Sequence, residues 1–140
     1  MFTQIKEFGQ RFLALALPPT CQACAEILPA TEPIGVCPTC WKNLPFWNTK
    51  LVPTPNSPET ITSFKAPFLY ENPVREWVTG LKFHDQTHLS KMLAEFMAQH
   101  VPNGAYLLIP VPIHTSRLRR RLFNQSALLA QEVSKLTKQP

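Results

Sequence analysis

Four cysteines, Cys21, Cys24, Cys37 and Cys40, restrict what this chain can fold into more than any other feature of its sequence. They form two Cys-x-x-Cys pairs separated by twelve residues. A two-residue gap lets both thiolates of a pair reach one ion from a tight turn. Two such turns complete a tetrahedral shell of four sulphurs, the geometry Zn²⁺ favours in closed structural sites. The spacing therefore predicts one structural zinc site held by all four cysteines, with no open position for a catalytic water. Two redox motifs, or four unrelated buried thiols, are the competing readings. Redox motifs sit at the start of a helix in a βαβ context, and Pro38 with its flanking prolines gives no such pattern.

The rest of the composition narrows the setting. With 44% hydrophobic residues in 140, the chain can bury one modest core beside a small appendage. Fifteen prolines against four glycines break the first half into short pieces. Residues 1–17 resemble a signal peptide only superficially, because Lys6, Glu7 and Arg11 interrupt them. They read as an amphipathic helix with Ile5, Phe8, Phe12 and Leu15 on one face. No stretch approaches the roughly 18 apolar residues of a membrane span. The expectation is a cytoplasmic protein, where a reducing environment favours metal binding by cysteine over disulfide pairing.

Three segments follow from the pattern: an N-terminal helix over 1–19, a zinc-binding region over 20–58, and a further domain over 59–140. In the last, the run Ile61–Tyr70 reads as an extended piece that Pro67 demotes to an edge or broken strand. Asn72-Pro73 opens a helix marked by Val74, Trp77, Val78 and Leu81, and Leu89, Met92, Leu93, Phe96 and Met97 mark a second. The continuous apolar run Tyr106–Val111 predicts a buried parallel strand. An arginine-rich loop comes next. A last helix then begins near Asn124 and buries Ala127, Leu129, Val133 and Leu136 at least in part.

The formal charge of +5 is local. Setting aside Arg117, Arg119, Arg120 and Arg121 leaves ten basic residues against nine acidic ones. A strand end, a stiff Pro110-Val111-Pro112 turn and clustered guanidinium groups before a helix start make an anion site, since free backbone N–H groups and the helix dipole favour negative charge. Arginine adds bidentate contacts to phosphate oxygens. A solvated basic loop or a nonspecific nucleic-acid patch uses the same residues. His84, His88 and His100 read as surface residues, and Trp41 and Trp47 as covers of a small core.

The order of two Cys-x-x-Cys pairs, Leu81-Lys82-Phe83, Ile109-Pro110-Val111-Pro112-Ile113-His114 and an arginine-rich run into Phe123-Asn124-Gln125 resembles the ComF family. The resemblance runs from about Leu17 onward. It implies an α/β fold, with a small N-terminal zinc ribbon or knuckle region followed by a phosphoribosyltransferase-like domain, and a role in competence and DNA uptake. It implies a ligand of the phosphoribosyl pyrophosphate kind bound with Mg²⁺. The pyrophosphate end would meet Arg117, Arg121, Asn124 and His114, with Arg119 and Arg120 in the same cluster and Lys82 in the matching Leu-Lys-Phe element, although a solvated helix-end lysine is the plainer reading of Lys82. Leu122 stands where the family has glycine, so a positive φ there would strain the chain.

The family's later acidic strand has no counterpart, and Asp85 is the only aspartate. The expectation is thus a truncated member, an incomplete α/β domain that is inactive alone, with no catalytic residue assigned. A noncatalytic zinc-containing module that binds single-stranded DNA, the DNA-uptake machinery or another partner is the alternative, and a degenerate remnant with a poorly folded tail is the third reading.

Overall fold

The structure, a computed structural model, describes residues 18–29, 35–47 and 64–140. The expected N-terminal helix and the expected boundary near Pro58 lie outside the described residues. The chain divides into two units, Met1–Asn43 and Leu44–Pro140.

In the first unit the chain reverses between Thr20 and Ile27, which form an antiparallel bridge. Later comes a short helix, α1 (Pro38–Lys42), with Cys37 as its N-cap and Pro38 in its first turn. The second Cys-x-x-Cys pair therefore does open a helix, contrary to the expectation drawn from its prolines. The reason is that proline at the first helical position gives up an N–H that has no partner there and brings a helical φ ready-made. Leu28 and Val36 are the buried residues that accompany Cys21 and Cys37.

Among its described residues the second unit has four helices: α2 (Val74–Phe83), α3 (Leu89–Ala98), α4 (Thr115–Arg121) and α5 (Gln125–Thr137). Spacings of three and four put Val74, Trp77 and Leu81 of α2 on one buried face, and Leu89, Met92, Leu93 and Phe96 of α3 on another. Asn72 does not cap the backbone of α2; its Nδ2 donates to Glu76 Oε1 at 2.9 Å, and Pro73 holds the cap position. At the far end of α3, His100 Nδ1 donates to the Phe96 carbonyl at 3.0 Å and occupies one of the carbonyls a helix end leaves open. α3 packs against both α2 and α5.

Residues 45–47 run antiparallel to 67–69, with Trp47 N–H to Pro67 O at 3.0 Å and Leu69 N–H to Pro45 O at 2.8 Å. This pairing delivers Phe68 to the core, where it packs edge-on to Phe96 with ring centroids 4.6 Å apart, while Phe46 beside it stays exposed.

The sheet required by an α/β fold does not form among the described residues, which are helices joined by isolated bridges. Tyr106–Val111 has no regular secondary structure, and among the described residues no strand pairs with it. Its even-numbered N–H groups face the chain's end instead, Tyr106 bonding Gln139 Oε1 and Leu108 bonding Pro140 O. Leu107, Ile109 and Val111 are 68%, 78% and 72% exposed, so the run is an open edge and not a buried strand. Leu136, expected to be at least partly covered, is 51% exposed, while Val133 of the same helix is buried.

The arginine-rich segment is helical, not a loop. The His114 imidazole Nδ1 accepts from Ser116 N–H at 3.3 Å and caps α4. Arginine and leucine are good helix formers, and Arg119, Arg120 and Arg121 in the last turn favour the negative end of the dipole. α4 stops at Leu122, whose φ of 61° is left-handed. A residue with a Cβ is strained there by roughly 1–2 kcal/mol, and the leucine side chain is 85% exposed, so it returns little by packing. Leu122→Gly should therefore raise the stability of the protein by about 1 kcal/mol, after allowing for the entropy glycine loses on folding. Urea unfolding of the two proteins side by side measures it; a destabilised glycine variant would mean that the exposed side chain contributes more than its strain removes.

Candidate metal centre and basic helix

The first cysteine pair sits in a tight turn. Cys21 N–H donates to Glu26 O at 2.7 Å, Ala25 N–H returns to Cys21 O at 2.8 Å, and Ala25 takes a positive φ of 60° to close the reversal. Gln22 N–H then bonds Gly35 O at 2.9 Å, joining this turn to the segment that carries the second pair. Cys37 N–H donates to Cys21 Sγ at 3.3 Å, and Cys40 N–H donates to Cys37 Sγ at 3.4 Å. Each buried sulphur is thus fixed by a backbone donor.

All four Sγ atoms lie within 4.8 Å of one another. A tetrahedral zinc with bonds of about 2.3 Å requires sulphurs about 3.8 Å apart, and Cys24 and Cys37 stand at 3.8 Å. The residues fit the ion in number, type and spacing.

Their electrostatics point the same way. Burial pushes the Cys21 thiol up, but N–H groups of Cys37, Ala23 and Cys24 and the Cys24 thiol outweigh it and bring Cys21 down to about 6. Cys40 is pushed up to about 12, first by its hydrogen bond with Cys37 and next by that with Cys24. At Cys24 the N–H of Glu26 lowers the thiol, yet the Cys21 sulphur, desolvation and Cys37 leave it raised overall. One thiolate forms readily and opposes the others. A bound cation removes that conflict, and its binding expels the remaining protons, so affinity falls as pH falls.

The basic residues of the second unit are arranged around α4. At about 100° per residue, Arg117, Arg120 and Arg121 share one side of the helix and Arg119 points to the other. No arginine of α4 forms an ion pair with a described residue. Arg121 lies over the Phe83 ring, 4.7 Å from its centroid, a cation–π contact to the end of α2. Lys82, next to Phe83 in the last turn of α2, is exposed. His114 uses Nδ1 as the cap of α4, as described. Asn124 has both ends of its amide engaged: Oδ1 accepts from Ser126 N–H at 3.0 Å and caps α5, while Nδ2 donates to Val111 O at 3.1 Å.

Sequence reasoning missed Gln125, which is 8% exposed and has a buried Nε2 without a partner among the described residues; Arg121 Nε is in the same position. Gln125 carries no sequence signal, because a polar residue in the first turn of a helix is normally solvated; Arg121 was read as a candidate anion-site residue, and burial of its Nε was not foreseen. It also missed Glu26, whose carboxylate is 4.0 Å from Cys24 Sγ.

With this geometry established, comparison with known families decides the nature of the first unit. Residues 12–52 match the double zinc ribbon domain. No curated protein and no solved structure matches the chain. The N-terminal region is a zinc ribbon whose span contains all four cysteines of the chain, so it supplies a single four-thiolate set. Because the match stops at residue 52, it characterises the ribbon and not α2–α5. No helix among the described residues is long and apolar enough to cross a membrane.

Proposed function

We propose that this chain is a zinc-containing binding module: its ribbon holds one structural Zn²⁺ through Cys21, Cys24, Cys37 and Cys40, and α4 engages a phosphate-bearing partner, single-stranded DNA foremost. The observation that carries the second half is the uncompensated charge of α4. Its four arginines have no acidic counterpart among the described residues, while the remainder of the chain is close to neutral. A reducing, cytoplasmic setting suits a four-thiolate site.

Salt dependence tests the reading. Each phosphate contact to a single strand contributes about −0.7 to the log–log salt slope of the affinity. Replacing Arg117, Arg120 and Arg121 together with alanine should therefore flatten the slope for a labelled oligonucleotide by about 2, and Arg119→Ala should change it less. An unchanged affinity after all four arginines are replaced would remove α4 from any binding role.

A second reading, in which the same surface takes phosphoribosyl pyrophosphate with Mg²⁺ as in the ComF family, is supported by the order of sequence motifs and by the left-handed backbone at Leu122, where that family has glycine. Under it, Arg117→Ala and Arg121→Ala should abolish binding of the small ligand in a calorimetric titration. Asn124→Ala should act by loosening the start of α5, since both ends of its amide are engaged there.

A further inference from the structure

The four sulphurs of the ribbon are not equivalent. The first of each pair is shielded, Cys21 at 2% and Cys37 at 7% exposure. The second of each is open, Cys24 being exposed and Cys40 partly so. Cys24, the most open of the four residues, also has its Sγ 3.8 Å from that of a shielded one of the opposite pair, Cys37. An oxidant arriving from solvent therefore meets Cys24 first, and the sulphur behind it belongs to the other half of the ribbon.

We propose that Cys24 is a peroxide-reactive ligand, whose oxidation links it to Cys37 and ejects the metal. The inference rests on the zinc reading of the site. In the first step the Cys24 thiolate attacks one oxygen of hydrogen peroxide; the O–O bond breaks, Cys24 becomes a sulfenic acid, and the departing hydroxide takes a proton from solvent to become water. In the second the Cys37 thiolate attacks the Cys24 sulphur; an S–S bond forms, the S–O bond breaks, and the second hydroxide is protonated to water. Two thiolates have lost two electrons in all, and one peroxide has become two waters with two protons consumed. Cys21 and Cys40 remain as thiolates, too few to retain the ion in a closed site. The ribbon then loses the metal on which its small core depends, so oxidation is read out as unfolding.

The experiment uses the full chain as purified under reducing conditions. Its zinc content is measured first: absence of zinc at this stage would count against the zinc reading itself, before any oxidant is added. The zinc-loaded protein is then titrated with hydrogen peroxide while a chromophoric chelator reports free zinc. Cleavage after Glu26 and Glu32 separates Cys21 and Cys24 from Cys37 and Cys40, so a disulfide between the pairs holds the fragments together under non-reducing mass spectrometry. The expected result is one zinc released per peroxide consumed, with a Cys24–Cys37 link as the first disulfide. A second measurement avoids any variant that loses metal by design. Brief iodoacetamide treatment of the zinc-loaded protein should label Cys24 at least about tenfold faster than Cys21 or Cys37. A first disulfide within either pair, a link from Cys21 to Cys40, equal labelling of the four, or zinc retained while peroxide oxidises methionine would each overturn the proposal.

Discussion

Purified Cys37→Ser protein should contain far less than one zinc equivalent and should lose the structure of its ribbon. Cys37 joins three functions at one position. Its sulphur is one of the four placed to hold a metal and accepts from Cys40 N–H to start α1, while its own N–H donates to Cys21 Sγ. The ribbon has little else to hold it. Among its described residues the buried apolar set is Cys21, Leu28, Val36 and Cys37, and two of these four belong to the cysteine cluster. Metal binding supplies on the order of 10–16 kcal/mol in small zinc domains, far more than two buried aliphatic side chains contribute at about 1.5–3 kcal/mol each. Residues from about 20 to 43 should then exchange their amide hydrogens as an unfolded chain does. α2, α3 and α5 should stay protected, because Leu44–Pro140 has a core of its own. Metal analysis and hydrogen exchange on the same preparation give the answer, and a full equivalent of zinc in the variant would show that the fourth thiolate is not a ligand.

Phe68→Ala should destabilise the second unit by about 3–5 kcal/mol, the range for removing a buried phenylalanine. Phe68 is 8% exposed, and its ring centroid lies 4.6 Å from that of Phe96, 5.3 Å from Phe46 and 6.3 Å from Trp77. It comes from the paired segment and meets α2 and α3 together, so alanine leaves a void that no single helix can close by shifting. Urea unfolding followed by tryptophan fluorescence measures the loss, with zinc content expected to stay at its original value. A change below 1 kcal/mol, the scale of a surface substitution, would mean that Phe68 is not the centre of this core.

What could be read from the sequence depended on whether the signal was local. The cysteine spacing describes one turn at a time, and turns survive whatever surrounds them, so the clustering of the four cysteines in a zinc ribbon was legible from residue order alone. α2 and α3 were legible because Val74, Trp77 and Leu81, and Leu89, Met92, Leu93 and Phe96, repeat with the helical period. α4 was not, because it buries no residue and so has no apolar face to announce it; its cap is a histidine side chain, a weaker signal than serine or aspartate. Tyr106–Val111 failed for another reason. A continuous apolar run has no period, and whether it is covered depends on partners elsewhere in the structure that the run does not encode. The glycine-like demand at residue 122 was visible only through the ComF resemblance, since leucine itself gives no hint of a left-handed φ.

The amide of Asn124 has a consequence for how such a protein can change over generations. By joining Val111 O to the start of α5, it brings together the two feet of an excursion that runs from residue 112 to 123. No residue of α4 is buried as a whole, although Arg121 Nε is covered, and the helix touches α2 through the Arg121–Phe83 contact at an exposed ring. Substitutions along the excursion can therefore add, remove or reposition positive charge with little cost to the core beneath. Selection can tune the affinity of the basic surface as one trait and the stability of the scaffold as another. A descendant could exchange the whole helix for a different recognition element, provided the asparagine at its base is kept.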